Sequence, residues 1–381
     1  MTATTDPAIA AQAREIAGRA ERELAELVDV SSPSGDVEGA ERSLALCAAL
    51  LPDGARTDRP PCSTAGSAPD LVATVSGTGS GRLMLLGHVD TVIGHGAHQT
   101  LRRDGDRLYG TGTADMKGGV VLSLGVARAI ARRPETFAEL AVLLVTDEEW
   151  RTAPFVHAAR FTGYDACLCF EAGERTPDGD EGVVVRRKAA GTLKVRATGR
   201  AAHSGSAPDR GRNALLALAR TAIDVAGLHD PDGPDQLSVV PTVIGAGDAF
   251  NIVPAAGELV FDLRARRLSA FDAVLAAVAA ERDEVRLDAW MERNWPGMDS
   301  AVATTELIAG ASQRLGRPIA GVARGGASDA SHFADSIALT IDGLGPRGGG
   351  AHTPEEYVLA PALAQRAEVA LAIADQALSK S

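Results

Sequence analysis

The sequence predicts an α/β protein, with a mostly parallel central sheet flanked by helices, interrupted by an α+β insert with an antiparallel sheet. Three observations carry this. Four continuous apolar runs, "RLMLLG" from Arg82, "ELAVLLV" (139–145), "ACLCF" (166–170) and "IALTI" (337–341), have the length of strands covered on both faces. Helical patterns stand between them, "VVLSLGVARAIARR" (120–133) and "TTELIAGASQRLG" (304–316). From about 188 to 298 shorter alternating strands mix with helices.

Taken in order, the first thirty residues read as an Ala/Glu-rich amphipathic helix, with no basic start and apolar stretch of a signal peptide. "RLMLLG" runs into His88, and Asp90 shares its face in an extended chain. "GTGTADMKGG" (110–119) places Asp115 in a Gly-rich loop that opens a helix. Its spacing fits neither a P-loop nor a dinucleotide site, so its glycines serve close backbone approach. "ELAVLLV" ends at Thr146, followed by Asp147, Glu148 and Glu149, and "ACLCF" ends at Glu171. The insert reads as strand ("GTLKVRAT"), helix ("GRNALLALARTAIDVAG"), two strands ("LSVVPTVIGAG", "NIVPAAGELVFDLRAR") and a second helix ("SAFDAVLAAVAAERDEV"). The parallel sheet then resumes, and "IALTI" leads through "DGLGPRGGG" to His352. This organisation divides the chain into 1–187 plus 299–381 and an inserted 188–298, a division that suits 381 residues.

Composition narrows the function. A net charge of −12 argues against a sequence-independent nucleic-acid binder. No apolar stretch reaches the length of a membrane span. Cys47, Cys62, Cys167 and Cys169 fit no disulfide framework or zinc-finger spacing, which favours a reducing, cytoplasmic setting. Cys167 and Cys169 share a strand face but read as small buried hydrophobes.

Functional groups of open α/β sheets collect at the carboxyl ends of strands. A lone His or Glu there is ordinarily solvated or hydrogen-bonded. Four strand ends that deliver only His, Asp and Glu, together with the Asp115 loop, point to a metal centre. The donor set is His88, Asp115, Glu149, Glu171 and His352, all nitrogen and oxygen, which suits Zn²⁺ with Co²⁺ or Mn²⁺ as substitutes. Three carboxylates and two imidazoles exceed one tetrahedral site with an open position, and so predict two ions sharing a carboxylate and a water. Asp90 would orient His88.

"GHVDTV", "GTGTADMKGG", "TDEE", "FEAGE", "GRAAHSG", "NIVP" with "DLRAR", "GGASD" and "AHTPEEYV" occur together along nearly the whole chain. In that order and spacing the sequence resembles the dinuclear zinc metallopeptidases that include glutamate carboxypeptidase (carboxypeptidase G), acetylornithine deacetylase and succinyl-diaminopimelate desuccinylase. The resemblance implies a zinc-peptidase catalytic domain and an inserted lid and dimerisation domain. It implies that His88 and Glu171 hold one Zn²⁺, Glu149 and His352 the other, with Asp115 bridging both. It makes Glu148 the general base and the Asp115–Met116 peptide cis. His203 would reach the active site of the partner subunit in a homodimer formed through the insert. Asn251 and Arg264, with Gly326 and Ser328 in "GGASD", would contact the substrate, Arg264 gripping its carboxylate. The reaction so implied is attack of a metal-bridging water on an amide bond.

"HVDTV" and "HTPEEYV" lean toward glutamate carboxypeptidase, and "GGASD" followed by "ASHF" toward the deacylases. The leading expectation is release of a C-terminal amino acid from a small N-acyl or peptidyl substrate. An N-acyl-amino-acid deacylase is the alternative. "TDEEWRTAPF" departs from the family in having Trp150 and no nearby Gly, which reshapes the adjoining loop. A metal-free binding relative would lack a ligand or the base, and none is lacking here. A two-metal phosphoesterase would carry Asp-x-His or Gly-Asn-His signatures, which are missing. The other histidines, His95, His98, His157, His229 and His332, read as surface or core residues.

Overall fold

The four apolar runs become neighbouring strands. In the computed structural model, which describes residues 5–379, they are β3 (Arg82–His88), β4 (Glu139–Val145), β5 (Ala166–Cys169) and β6 (Leu339–Ile341), preceded by β1 (Arg56–Asp58) and β2 (Leu71–Ser76). The sheet order is β1-β2-β4-β3-β5-β6. β4, β3, β5 and β6 are parallel, while β1 and β2 join antiparallel at one edge. The run from Leu83 to Leu86 has essentially no exposure, as a strand covered on both faces requires.

Helices Pro7–Val28, Gly118–Ala131, Ala301–Leu315 and Ala360–Leu378 supply the apolar surfaces of this core. The N-terminal helix starts at Pro7 under an Asp6 cap, which accepts the Ala8 N–H. The first four residues of the stretch read as that helix lie outside the described residues. Ala301–Leu315 ends at Gly316, whose φ of 64° closes it in the left-handed region.

The chain forms two compact units, Met1–Arg186 with Asp299–Ala323 and Ser328–Ser381, and Arg187–Met298 with Arg324–Ala327. The second has its own core and a five-stranded antiparallel sheet. Its strand order is Ser238–Ala246, Ala256–Ala265, Ala189–Thr198, Val285–Trp295, Glu281–Arg282. Helix Ala214–Ala226 packs beside Ser238–Ala246.

The sequence reading fails at one place in this unit. The helix expected over "SAFDAVLAAVAAERDEV" stops at Ala276, and an 11-residue strand, Val285–Trp295, follows. Asp283 and Glu284, with φ of 53° and 57°, turn a tight hairpin that pairs Glu281 with Arg286. Strand pairing buries Val285 and Leu287. Beyond Val274 the alanine-rich run packs only Leu275 and Val278, each partly buried, against the core, and helix propensity adds a few tenths of a kcal/mol per residue, about an order of magnitude less than burying one large apolar side chain.

Candidate metal centre

The site assembles where the parallel strands end. β3 is the middle strand, and the chain leaves it to form β4 on one side and β5 on the other, so the loops beyond their carboxyl ends diverge and leave a crevice. His88 closes β3, Glu148 and Glu149 follow β4, and Glu171 follows β5.

Asp115 arrives on the Gly-rich loop. Gly112 adopts φ 78°, and the Asp115–Met116 peptide is cis. A Cβ on Gly119 would stand 1.8 Å from the Phe170 carbonyl oxygen, so only glycine lets the helix begin against the strand end that leads to Glu171. His352 comes from the loop after β6, at φ 66°, a left-handed conformation costing a non-glycine residue about 1–3 kcal/mol.

The distances sort these side chains into two groups around Asp115. His88 Nε2 lies 3.1 Å from Asp115 Oδ1 and 3.6 Å from Glu171 Oε1. His352 Nε2 lies 3.1 Å from Asp115 Oδ2 and 3.2 Å from Glu149 Oε2. Thus one carboxylate faces two imidazoles, each with a further carboxylate of its own. His88, Asp115 and Glu149 present atoms all within 4.8 Å of one another. Glu149 Oε1 is buried and has no hydrogen-bond partner among the described residues.

Asp90 ties these pieces together. The His88 Nδ1 stands 3.0 Å from the Asp90 carbonyl and 3.3 Å from its Oδ1, leaving Nε2 for the site. The same carboxylate accepts the N–H groups of Glu148 and Glu149, each at 3.1 Å, and the Ser34 hydroxyl at 2.5 Å. Glu148 is buried, yet among the described residues its carboxylate makes no hydrogen bond or ion pair.

The crowded side chains shift one another's titration. Burial pushes the Glu148 carboxyl well above its usual range, Asp329, Glu171 and Glu149 add to that, and His88 opposes it. Hydrogen bonds to Asp115 and Glu149 raise His352 to about 10. For His88 the lowering effect of burial is outweighed by Asp115 and Asp90, and its pKa ends well above the ordinary value.

Several supporting residues carry no mark in the sequence. Arg151 is fully buried in the loop after Glu149, where it pairs with Asp147 at 3.1 Å and with Asp329. Its guanidinium lies 4.7 Å over the Phe155 ring, which stacks on His332. Trp150, in the same loop, is 61% exposed. His157 is a satisfied core histidine, 2.7 Å from Asp70. Cys167 and Cys169 are buried thiols outside the group.

Ser328 is fully buried and its hydroxyl donates to Asp342 at 2.6 Å. In the second unit, Arg264 is held by Asp262 through Nε at 3.0 Å and Nη2 at 2.9 Å. Asn251 and Gly326 are exposed. The Asn251 carbonyl accepts the Ser204 N–H, and that of Gly326 accepts from Arg187 at 2.9 Å. His203 is exposed, and its Nδ1 accepts N–H groups from Gly205 and Ser206 at 3.1 and 3.2 Å. The neutral ring therefore carries its proton on Nε2.

Residues 84–376 match the model of peptidase family M20/M25/M40, which is most of the chain. The chain belongs to this family. It is a metal-dependent hydrolase, as the order of its motifs implied. Carboxypeptidase G2 of Pseudomonas sp. (strain RS-16) is 29% identical over 361 residues, covering 90% of this chain and 85% of that protein. Succinyl-diaminopimelate desuccinylase of Halorhodospira halophila (strain DSM 244 / SL1) is 30% identical over 305 residues, 72% of this chain and 77% of that one. Aminopeptidase PepT of Bacillus cereus ATCC 10987 has the same fold, with a TM-score of 0.75 at 20% identity, covering 95% of this chain and 98% of that one. No helix among the described residues is long and apolar enough to cross a membrane.

Proposed function

We propose that this family member is a carboxypeptidase-like amidohydrolase that releases a C-terminal amino acid from a small N-acyl or peptidyl substrate, using two Zn²⁺ ions per chain. The observation that carries the reading is the sorting of five donors into two groups that share Asp115. A divalent pair fits these residues. The donors are hard and borderline oxygen and nitrogen atoms, and the unpartnered Glu149 Oε1 has a free acceptor for a cation. His88 with Glu171 would hold one ion and His352 with Glu149 the other. Co²⁺ and Mn²⁺ use the same donors.

Bound divalent ions supply Lewis acidity and a water acidified enough to ionise near neutral pH. The protein's own part is proton handling and orientation. Glu148, buried and unspent, takes a proton from the attacking water and returns it to the leaving amine. Asp90 holds the His88 ring and, through two N–H groups, fixes where Glu148 stands. His203 Nε2–H is a donor suited to a developing oxyanion. Arg264 would bind the α-carboxylate only by sharing its fork with Asp262.

The inserted unit supports a homodimer. Its edge strand Ser238–Ala246 exposes Val240, Val243 and Ile244, and the neighbouring helix exposes Leu216 and Ile223. An apolar edge strand is a template for pairing with another chain. Four free cysteines fit a reducing, cytoplasmic setting.

Zinc-loaded and cobalt-loaded protein assayed on a panel of N-acyl amino acids and dipeptides tests the substrate. Fastest turnover of peptidyl or aroyl substrates with one preferred C-terminal residue upholds the carboxypeptidase reading. Fastest turnover of N-acetyl or N-succinyl amino acids establishes the deacylase instead, a reading favoured by the desuccinylase similarity.

Metal loading should also release protons. His352 needs a neutral ring to donate to a cation, and at pH 7 a group raised to about 10 is protonated. We expect at least one proton per chain in an unbuffered titration at pH 7, and weaker metal binding as pH falls. Loading with no proton release would remove His352 from the donor set.

A further inference from the structure

The segment "AHTPEEYV" supplies His352 and, four residues on, Glu356, whose side chain is 3% exposed. Glu356 Oε2 accepts the Gly112 N–H at 2.8 Å. Its Oε1 accepts the N–H groups of Ala114 at 2.8 Å and Asp115 at 2.9 Å. Gly112 takes the left-handed conformation, the Thr113 N–H turns back to the Gly110 carbonyl, and the N–H groups on either side of it converge on this one carboxylate as an anion-binding concavity. Asp115 and Met116 lack helical backbone angles, so this loop has no helical ladder to absorb those donors. The Glu356 backbone adds a tie, its carbonyl accepting the Gly110 N–H at 3.1 Å. Strand Tyr357–Leu359 continues the join by pairing with Arg107–Tyr109.

We propose that Glu356 is a positioning residue: by gathering the N–H groups of Gly112, Ala114 and Asp115 it sets Asp115 against His352, so that the two loops present their donors to a divalent cation already in register. The loop that carries Asp115 and the loop that carries His352 are more than 200 residues apart in sequence, and 3.1 Å separates their side-chain tips. Glu356 lies in the second loop and binds the backbone of the first. Its carboxylate is therefore the element that converts two separate donors into one fixed pair. Glutamine cannot replace it. It has one acceptor oxygen, and its NH₂ group would face a backbone N–H, leaving a buried donor without a partner.

The inference rests on the metal reading above, and the test separates the two. Wild type, Glu356→Gln and the exposed neighbour Glu355→Gln are prepared metal-free and compared by circular dichroism and thermal melting. Each is titrated with Co²⁺, followed by its visible absorption and by competition with a chelator. Glu356→Gln should bind Co²⁺ about 10–100-fold more weakly, with a shifted absorption band, and kcat should fall while KM stays within about twofold. Glu355→Gln should match wild type. In metal-free wild type, the amides of Gly112, Ala114 and Asp115 should be protected from hydrogen exchange. A folded Glu356→Gln protein with wild-type Co²⁺ affinity and spectrum overturns the role of Glu356. Should that variant not fold, the exchange measurement decides, since fast exchange at the three amides in metal-free wild type also overturns it and slow exchange upholds it. Wild type that takes up no Co²⁺ sinks the metal reading itself.

Discussion

Glu148→Ala should lower turnover by about 10²–10⁴-fold while the metal content per chain stays that of wild type. That loss corresponds to roughly 3–5 kcal/mol of transition-state stabilisation. Two features separate Glu148 from Glu149, the residue beside it. The Glu149 carboxylate touches His352 at 3.2 Å, whereas that of Glu148 makes no bond among the described residues. Burial raises both carboxyls, but it pushes Glu148 furthest above its usual range, which makes its carboxylate the stronger proton acceptor. Elemental analysis of the reloaded variant, beside steady-state kinetics, is the measurement. Loss of metal together with activity would make Glu148 a ligand and reverse the assignment within "TDEE". Unchanged turnover would remove it from the chemistry altogether.

The parallel sheet and the position of the site were legible because they depend on local pattern. A run such as "ELAVLLV" has no polar face, so it must lie between two layers, and a following Asp-Glu-Glu must emerge at a strand end. The supports of the site were not legible, because each is a pairing at long range. Nothing around Glu356 announces that its partners are the N–H groups of a loop some 240 positions earlier. Ser34 in "SSPSGD" looks like a turn residue until its hydroxyl is seen on Asp90. Arg151 follows an acidic run with nothing to mark it for the interior, yet it is fully buried between Asp147 and Asp329. Trp150 did signal that this loop differs, but only Arg151 explains how it is held. In the insert, the helix propensity of the alanine-rich run beyond Val274 was overruled in the same way. Val285 and Leu287 find burial there in a strand pairing that local sequence cannot show.

His203→Ala should cut turnover by about 10²–10³-fold, the usual cost of losing an oxyanion donor, and leave metal content intact. His203 is exposed, and no ion pair involves it among the described residues. Its Nδ1 is committed to two backbone N–H groups, which fixes the proton on Nε2 and aims a donor at solvent. A fixed, outward donor on a unit with an apolar edge strand is what service to a second chain requires. In a two-fold dimer each insert would complete the partner's site. Glu148→Ala and His203→Ala homodimers would then each be nearly inactive, but a mixed dimer would contain one whole site, with Glu148 from one chain and His203 from the other. Equal amounts of the two variants, denatured and refolded together, give half mixed dimers, each with one of its two sites working, so activity should return to about a quarter of wild type. Mass measurement confirms the dimer and the exchange of subunits. Exchange without recovery would mean that His203 acts within its own chain or takes no part, and a monomer in solution would exclude the partner altogether.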